Sequence, residues 1–160
     1  MPSPEFAFHE LDDLYQEIIL DHYRSPRNAR NLENPSVIAD GNNPFCGDET
    51  HIELIVGAGK TIQATGIVGR GCSISQASAS LMSELVTGKT AEELSTIVQA
   101  FRDMMQGKEI SAEHLDLLKD TQVLAGVRQF PVRVKCALLP WVTLLDGVSR
   151  VENDSPESSK

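Results

Sequence analysis

The sequence lacks any apolar stretch approaching the ~18 residues of a membrane span. Its first residues, MPSPEFAFHELDD, contain no basic segment followed by an apolar run, so no secretory signal is predicted. Basic residues are also scarce: 14 lysines and arginines stand against 23 aspartates and glutamates, which gives a formal net charge of -9. An acidic surface repels phosphate backbones and anionic membranes. These absences predict a cytoplasmic protein without a nucleic-acid or membrane partner.

Cysteine is equally scarce, since the chain holds only Cys46, Cys72 and Cys136. Three thiols cannot all pair, and a reducing compartment disfavours disulfide bonds. A disulfide framework is therefore excluded as the basis of the fold. The thiols are expected to be buried, catalytic or bound to a metal.

What the sequence does contain is an ordinary globular composition, with 41% hydrophobic and 23% charged residues. A chain of 160 residues is the size of one domain and can bury one core. We therefore expect a single domain over residues 1–160, with a core of about residues 9–150 and frayed ends.

The first half of the chain predicts one helix followed by a small antiparallel sheet. Apolar residues recur at helical spacing from Leu11 to His22, and Ser25-Pro26 ends the pattern. Alternating apolar residues then indicate strands at either side of a glycine-rich turn. His51 and Glu53 alternate with apolar neighbours, so both are expected to face solvent. The predicted strands are, in chain order, Val37–Ala39, Thr50–Val56 and Ile62–Val68.

The second half of the chain predicts helices. One follows Gly71, and the next begins at the capping-box sequence TAEE of residues 90–93. A polar segment contains one short helix near residues 115–118. The last helix carries an apolar stripe from Val134 to Leu145, with Pro140 early in it or at a bend. Helix, sheet and then helices indicate an α+β fold rather than alternating α/β units.

All three cysteines lie at predicted element boundaries. A thiol at a helix N-terminus has a lowered pKa, because the helix dipole and free N–H groups favour the thiolate. Cys72 and Cys136 are expected to lie in that position, with Arg133 and Lys135 adding positive charge. Gly47 separates Cys46 from a carboxylate at position 48, so both side chains can turn toward one point.

Three interpretations of the thiols remain open from the residues alone. Cysteine is often buried, so all three residues could fill the core separately. A nucleophile activated by histidine is a weaker hypothesis, because no histidine has a local spacing that ties it to a cysteine. A tetrahedral zinc site needs four ligands, and three thiolates with one carboxylate supply that number. Its candidate ligands are Cys46, Asp48, Cys72 and Cys136.

Three motifs, NPFCGDE, GRGCSISQASAS and RVKCALLPW, resemble those of the U-type iron–sulfur cluster assembly proteins, the IscU/NifU-N family. The opening segment LDDLYQEIILDHYRSPRNARNL is also similar to the start of that family. The resemblance covers roughly residues 9–150. It implies an α+β domain in which a three-stranded antiparallel sheet packs with about five to six helices, and a cysteine-lined site at one end.

Within this family, the chain resembles the SufU-like branch. Lysine stands at position 135, where the IscU-like branch has histidine, and Arg133 lies two residues before it, as in the SufU-like branch. The polar segment near residues 103–122 is similar to an insertion of the SufU-like branch. The resemblance implies a zinc-dependent sulfurtransferase that accepts persulfide sulfur from a SufS-type, PLP-dependent cysteine desulfurase and passes it toward Suf scaffold proteins.

The resemblance also implies roles for single residues. Cys46, Asp48, Cys72 and Cys136 would bind zinc, Cys46 would accept the sulfur, and Arg133 would assist in catalysis. Two alternatives use the same ligands. One is an IscU-like scaffold on which a [2Fe–2S] cluster is assembled and transferred, and the other is a purely structural zinc domain.

Overall fold

The computed structural model describes residues 15–153, and side chains from residue 15 to residue 150. Residues 15–24 form helix α1, so the predicted helical residues before 15 lie outside the described part. Three strands follow, namely β1 (Val37–Asn43), β2 (Asp48–Val56) and β3 (Ile62–Arg70). The remaining elements are α2 (Ser73–Val86), α3 (Ala91–Met105), α4 (Ala112–Leu117), a 3-10 segment (Lys119–Gln129) and α5 (Pro131–Asn153).

The three strands form an antiparallel sheet in the order β1-β2-β3. A four-residue loop joins β1 to β2, and a short 3-10 turn over Ala58–Lys60 joins β2 to β3. Asn43 pairs with Asp48 at one end of the sheet, and Glu49 pairs with Arg70 there. The β1–β2 loop and the end of β3 therefore meet at the same end of the sheet. The predicted α+β class and three-stranded sheet are confirmed.

Helices α2 and α5 pack against the sheet, α3 packs against α5, and these elements enclose the core. The rings of Phe101 and Trp141 stack, with centroids 3.9 Å apart. The Trp141 indole N–H donates to Ser78 Oγ at 2.8 Å, and Ser78 Oγ donates to the Ala137 carbonyl at 2.6 Å. These bonds satisfy buried polar groups and fix α5 against α2. No helix of the described residues is long and apolar enough to cross a membrane.

Helix α3 begins as its sequence predicts. Thr90 Oγ1 accepts from the Glu93 N–H at 3.1 Å, and the Glu93 carboxylate accepts from the Thr90 N–H at 3.1 Å. This reciprocal capping box satisfies two N–H groups that have no partner within the helix. It also lowers the pKa of Glu93 through hydrogen bonds to its carboxylate.

The expectation that Glu53 faces solvent is wrong. Its side chain is buried, and its carboxylate accepts from the Leu32 N–H at 2.7 Å and from His51 Nε2 at 2.7 Å. The cause is the segment after α1, which crosses this face of the sheet and bonds β3 through the Asn28 carbonyl and the Ile67 N–H. His51 is only half-buried, and hydrogen bonds to Glu53 and Asp40 raise the pKa of its imidazole.

Pro140 does not lie early in the last helix. Helix α5 starts at Pro131 and runs through Pro140 to Asn153. A proline suits the first helical position, because the N–H that it lacks has no partner there. Pro140, in the interior, leaves the carbonyl of residue 136 without its helical donor. Cys136 therefore lies in the second turn of α5, not at its N-terminus, because the helix begins earlier than its apolar stripe.

Candidate metal centre

Three elements bring the cysteines to one end of the sheet. Cys46 lies in the loop between β1 and β2, and Asp48 is the first residue of β2. Cys72 follows β3 and is the N-cap residue of α2. Cys136 reaches the same end from α5, which packs against β1 and α2. The strand register places the first three residues together, whereas the position of Cys136 depends on helix packing.

The loop that carries Cys46 is held by Asn43. The Asn43 carbonyl accepts from the Cys46 N–H at 3.2 Å and from the Gly47 N–H at 2.9 Å. Its side-chain oxygen accepts from the Phe45 N–H at 3.2 Å. Gly47 has a φ of 70°, which glycine adopts without steric cost. The loop thus presents Cys46 as a half-buried thiol beside the 80% exposed ring of Phe45.

Asp48 is fully buried at 0% exposure, and Cys72 holds its carboxylate. The Cys72 N–H donates to Asp48 Oδ1 at 2.8 Å, and Cys72 Sγ lies 3.9 Å from Asp48 Oδ2. Among the described residues, no lysine or arginine forms an ion pair with Asp48. A buried carboxylate needs compensation by a positive group, and a metal cation is one such group.

Cys136 completes the cluster from α5. Its side chain is 0% exposed, and its Sγ lies 2.9 Å from Cys46 Sγ. Ligand atoms of Cys46, Asp48 and Cys136 all lie within 4.8 Å of one another. Burial, and hydrogen bonds with Cys46, Asp48 and Cys72, raise the pKa of the Cys136 thiol. The expected lowering of this pKa is wrong, because desolvation outweighs a helix dipole that acts mainly on the first turn.

The two basic residues of the third motif have different surroundings. A hydrogen bond to Cys72, with a smaller contribution from Cys136, raises the pKa of the exposed Arg133. Lys135 Nζ instead lies 4.9 Å from the centroid of the Phe45 ring. That cation–π contact links α5 to the loop that carries Cys46. Arg133 therefore lies beside the thiols, whereas Lys135 lies over the Phe45 ring next to Cys46.

The residues present fit a zinc ion chemically. Thiol sulfurs and a carboxylate oxygen are ligands that zinc accepts, and four of them complete a tetrahedral site. In the described residues, the group within 4.8 Å contains no imidazole nitrogen. Cys72 lies outside that group, although its Sγ is 3.9 Å from Asp48 Oδ2. A cation in the cluster would offset both the buried carboxylate and the raised pKa of Cys136.

Gly71 closely limits the position of Asp48. It has a φ of 148°, and a Cβ added there would lie 2.1 Å from Asp48 Oδ1. We expect Gly71→Ala to displace the Asp48 carboxylate and to lower zinc affinity about 10–100-fold. Losses of that size are typical when a group that orients a metal ligand is removed. Competition with a zinc-binding dye measures the change.

Gly88→Ala provides the matched control for Gly71→Ala. Gly88 also has a positive φ, of 94°, but an added Cβ would meet nothing within 4 Å. Both variants carry backbone strain of order 1–3 kcal/mol. Only the Cβ added at position 71 contacts a residue of the cluster. Equal zinc affinities in the two variants would show that the Gly71–Asp48 contact has no influence on the site.

Sequence reasoning missed several neighbours of the thiols. Asn43 is buried, and its Nδ2 lies 4.0 Å from Cys136 Sγ, 93 positions away. Ser75 is also buried, and its hydroxyl donates to the Cys72 carbonyl at 3.1 Å. The motif NPFCGDE contained a signal for Asn43, because asparagine before proline is typical of a turn. No local pattern indicated its contact with Cys136.

The model of the family described as "NifU-like N terminal domain" matches residues 14–137 of this chain. The chain is 43% identical over 142 residues to a protein of Bacillus subtilis (strain 168) named zinc-dependent sulfurtransferase SufU, covering 89% of this chain and 94% of that protein. It is 35% identical over 147 residues to an iron–sulfur cluster assembly scaffold protein IscU of Streptococcus pyogenes serotype M1, covering 92% and 90%.

A solved structure shares the fold. It is a crystal structure of a Fervidobacterium islandicum AW-1 protein described as an iron–sulfur cluster assembly scaffold for the SUF system. It matches with a TM-score of 0.74 and 34% identity, and the match covers 82% of this chain and 94% of that one. The relatives therefore include one protein named for sulfur transfer and others named as scaffolds.

Proposed function

The chain belongs to the NifU-like N-terminal domain family of U-type iron–sulfur cluster assembly proteins, and we propose that it is a zinc-dependent sulfurtransferase. In this role it accepts persulfide sulfur from a SufS-type cysteine desulfurase and relays it to Suf scaffold proteins. The zinc ligands are Cys46, Asp48, Cys72 and Cys136. Cys46 is the sulfur acceptor, and Arg133 assists it.

The observation that carries this proposal is the different access of the thiols within one cluster. Cys46 is half-buried in a loop, whereas Cys136, 2.9 Å from it, is fully buried. A donor protein can reach Cys46 without reaching Cys136. The relative named a zinc-dependent sulfurtransferase supports the same chemistry, since it is 43% identical over 89% of this chain.

Sulfur acceptance is a thiol-exchange reaction. The Cys46 thiolate attacks the outer sulfur of the donor's persulfide, a new S–S bond forms on Cys46, and the donor's cysteine leaves as a thiolate. Zinc, when bound, supplies positive charge that stabilises thiolates at neutral pH. Gly47, with its φ of 70°, allows the loop its sharp turn beside Cys46. Arg133, next to Cys72 and Cys136, offers a guanidinium to any thiolate that is released from the cation.

The exposed surroundings of Cys46 suit contact with a partner protein. Three apolar side chains near the thiols are exposed, namely Phe45 at 80%, Phe130 at 59% and Val132 at 66%. Aromatic residues and arginine are enriched in protein–protein interfaces. The rim of the site therefore supplies apolar surface and positive charge on a chain whose net charge is -9.

A second candidate function is a scaffold on which a [2Fe–2S] cluster is assembled and transferred. It is favoured by the relative named IscU scaffold, which is 35% identical over 92% of this chain. Thiolate ligands suit iron–sulfur clusters and zinc alike. Sulfur transfer is favoured because Lys135 stands where the IscU-like branch has histidine, and no imidazole is present in the described cluster.

Metal analysis combined with a desulfurase assay tests the proposed function. The freshly purified protein is expected to contain near-stoichiometric zinc and little iron or acid-labile sulfide. Alanine production from cysteine by a SufS-type desulfurase should rise several-fold when the chain is added, because the chain removes the persulfide that blocks turnover.

Iron with a matching amount of acid-labile sulfide, transferable to an apo-ferredoxin, would instead identify a scaffold. Zinc without any effect on desulfurase turnover, together with unfolding on metal removal, would indicate a structural zinc domain. Each of these results contradicts the sulfurtransferase proposal in a distinct way.

A further inference from the structure

We propose that Cys136 is a resolving thiol, which displaces the outer sulfur of a Cys46 persulfide as sulfide and leaves a Cys46–Cys136 disulfide. The inference rests on the proposed function, since it takes Cys46 as the sulfur acceptor. It adds an activity to that function, namely the reduction of the transferred sulfur within the site. The chain would then release sulfide as well as relay persulfide sulfur.

The geometry distinguishes Cys136 from Cys72 as the attacking thiol. Cys136 Sγ lies 2.9 Å from Cys46 Sγ, and both sulfurs belong to the group whose ligand atoms lie within 4.8 Å of one another. Cys72 Sγ lies outside that group and is turned toward Asp48 Oδ2 and Ser75 Oγ, at 3.9 Å from each. Thiol–disulfide exchange requires access of the attacking sulfur to its target, and Cys136 has that access.

The burial of Cys136 restricts its reactions to the interior of the site. At 0% exposure it cannot be reached by the cysteine of a donor protein. Cys46 is half-buried and can be reached. One thiol is therefore placed to meet the sulfur donor, and the other is placed to meet only the sulfur that has arrived.

The step balances without an outside reactant. Cys136 Sγ attacks the inner sulfur of Cys46–S–SH, the bond between the two persulfide sulfurs breaks, and a Cys46–Cys136 disulfide forms. The outer sulfur leaves as hydrosulfide and takes both electrons of the broken bond. The Cys136 sulfur is thereby oxidised from the thiol to the disulfide level, the Cys46 sulfur keeps the level it had in the persulfide, and the transferred sulfur is reduced to sulfide. A dithiol reductant then returns the disulfide to two thiols.

Asp48 lies beside both sulfurs that react in this step. Its carboxylate is fully buried and belongs to the same group within 4.8 Å as Cys136 Sγ. The proton that the Cys136 thiol loses as it attacks ends on the departing hydrosulfide, beside this carboxylate, so the step needs no outside acid or base. Arg133, which lies beside Cys72 and Cys136, offers positive charge to the hydrosulfide as it forms.

A cation in the site would oppose this reaction. Cys136 coordinated to a metal has a lone pair engaged, so its attack on Cys46 is slowed. The chain would keep its persulfide while the cation is bound and would convert it to sulfide once the cation is removed. Metal occupancy then decides in which form the sulfur leaves.

The test uses the full-length protein and inorganic polysulfide as the sulfur source, so that no desulfurase is needed. Wild-type protein, Cys136→Ser and Val142→Ser are loaded anaerobically, desalted, and followed with and without a chelator. Sulfide release, intact mass without reductant and disulfide mapping are the measurements. Val142→Ser is the matched control, because it places a serine at an exposed position of the same helix, outside the cluster.

With chelator, wild-type protein and Val142→Ser are expected to release sulfide in an amount that matches the persulfide lost, and to gain a Cys46–Cys136 disulfide. Cys136→Ser is expected to keep its persulfide, with sulfide release slower by about tenfold or more. Without chelator, release from the wild type should also be slower.

Equal sulfide release from Cys136→Ser and the wild type would overturn the inference, as would a disulfide between Cys46 and Cys72. A persulfide on Cys46 that is stable in chelated wild-type protein would also overturn it, and would leave the proposed function intact. Absence of any sulfur on Cys46, seen as no gain in mass at that peptide, would contradict the proposed function and the inference together.

Discussion

Asp48→Ala is expected to leave the purified protein with little zinc, and this is among the largest effects that a single change should have here. The carboxylate is 0% exposed, lies within 4.8 Å of the Cys46 and Cys136 sulfurs, and accepts from the Cys72 N–H at 2.8 Å. Its removal deletes a proposed ligand and frees the residue that caps α2. Zinc affinity should fall by more than the ~10–100-fold that is lost when residues around metal ligands are changed.

Two further variants separate the roles of Asp48. Asp48→Asn keeps an oxygen that can accept from the Cys72 N–H but removes the negative charge, so it should retain the fold and still bind zinc weakly. Glu49→Ala removes the neighbouring carboxylate, which is exposed and pairs with Arg70 at 2.8 Å. It should keep its zinc, because a surface ion pair contributes at most about 1 kcal/mol.

Elemental analysis for zinc and thermal unfolding show whether the Asp48 carboxylate is a zinc ligand. The three purified variants are compared with the wild type in both measurements. Full zinc in Asp48→Ala would exclude the carboxylate as a ligand. Equal loss of zinc in Glu49→Ala and Asp48→Ala would indicate a general effect of acidic charge at the start of β2.

Cys46→Ser is expected to reduce sulfur acceptance to the level seen without the protein. A hydroxyl cannot form a persulfide, and the neighbouring Cys136 is too deeply buried for a protein donor to reach it. Cys72 is half-buried, but its sulfur is turned toward Asp48 and Ser75. Desulfurase turnover should fall to its unstimulated rate. Labelled cysteine, a SufS-type desulfurase and mass spectrometry of the chain measure the transferred sulfur.

Cys72→Ser is the matched control for this variant, since it replaces one thiolate of the same cluster. It should weaken zinc binding but still carry sulfur on Cys46, because Cys72 Sγ contacts Asp48 at 3.9 Å and is not one of the atoms that lie within 4.8 Å of Cys46 Sγ and Cys136 Sγ together. Sulfur found on Cys72 or Cys136 of the Cys46→Ser variant would assign the acceptor to another residue.

The secondary structure that the sequence predicted correctly rests on local rules. The capping box of Thr90 and Glu93 joins residues three positions apart, and the turn of residues 57–60 joins strands that are adjacent in the chain. Alternation along β2 also predicted the buried side chains of Ile52 and Leu54. Hydrogen bonds and periodic burial over such short separations can be read from residue order alone.

The errors concern contacts that no local rule contains. Glu53 is buried because the segment after α1, about twenty positions earlier, covers its face and donates the Leu32 N–H to it at a separation of 21 residues. Alternation describes one strand and says nothing of what covers its second face. Pro140 lies inside α5 because packing on the core outweighs the local cost of a missing helical hydrogen bond.

The sequence by itself determined that Cys46, Asp48 and Cys72 would lie at element ends, since glycine, proline and capping patterns mark those ends locally. Only the tertiary structure decided which of these groups meet. Cys46 and Cys136 are separated by 90 positions and come within 2.9 Å because α5 packs against the sheet. The same packing buries Cys136, which raises the pKa of its thiol, whereas Cys46 and Cys72 stay half-buried. The physical reason is that spacing along the chain determines local hydrogen bonding, whereas burial and distance depend on how distant elements pack.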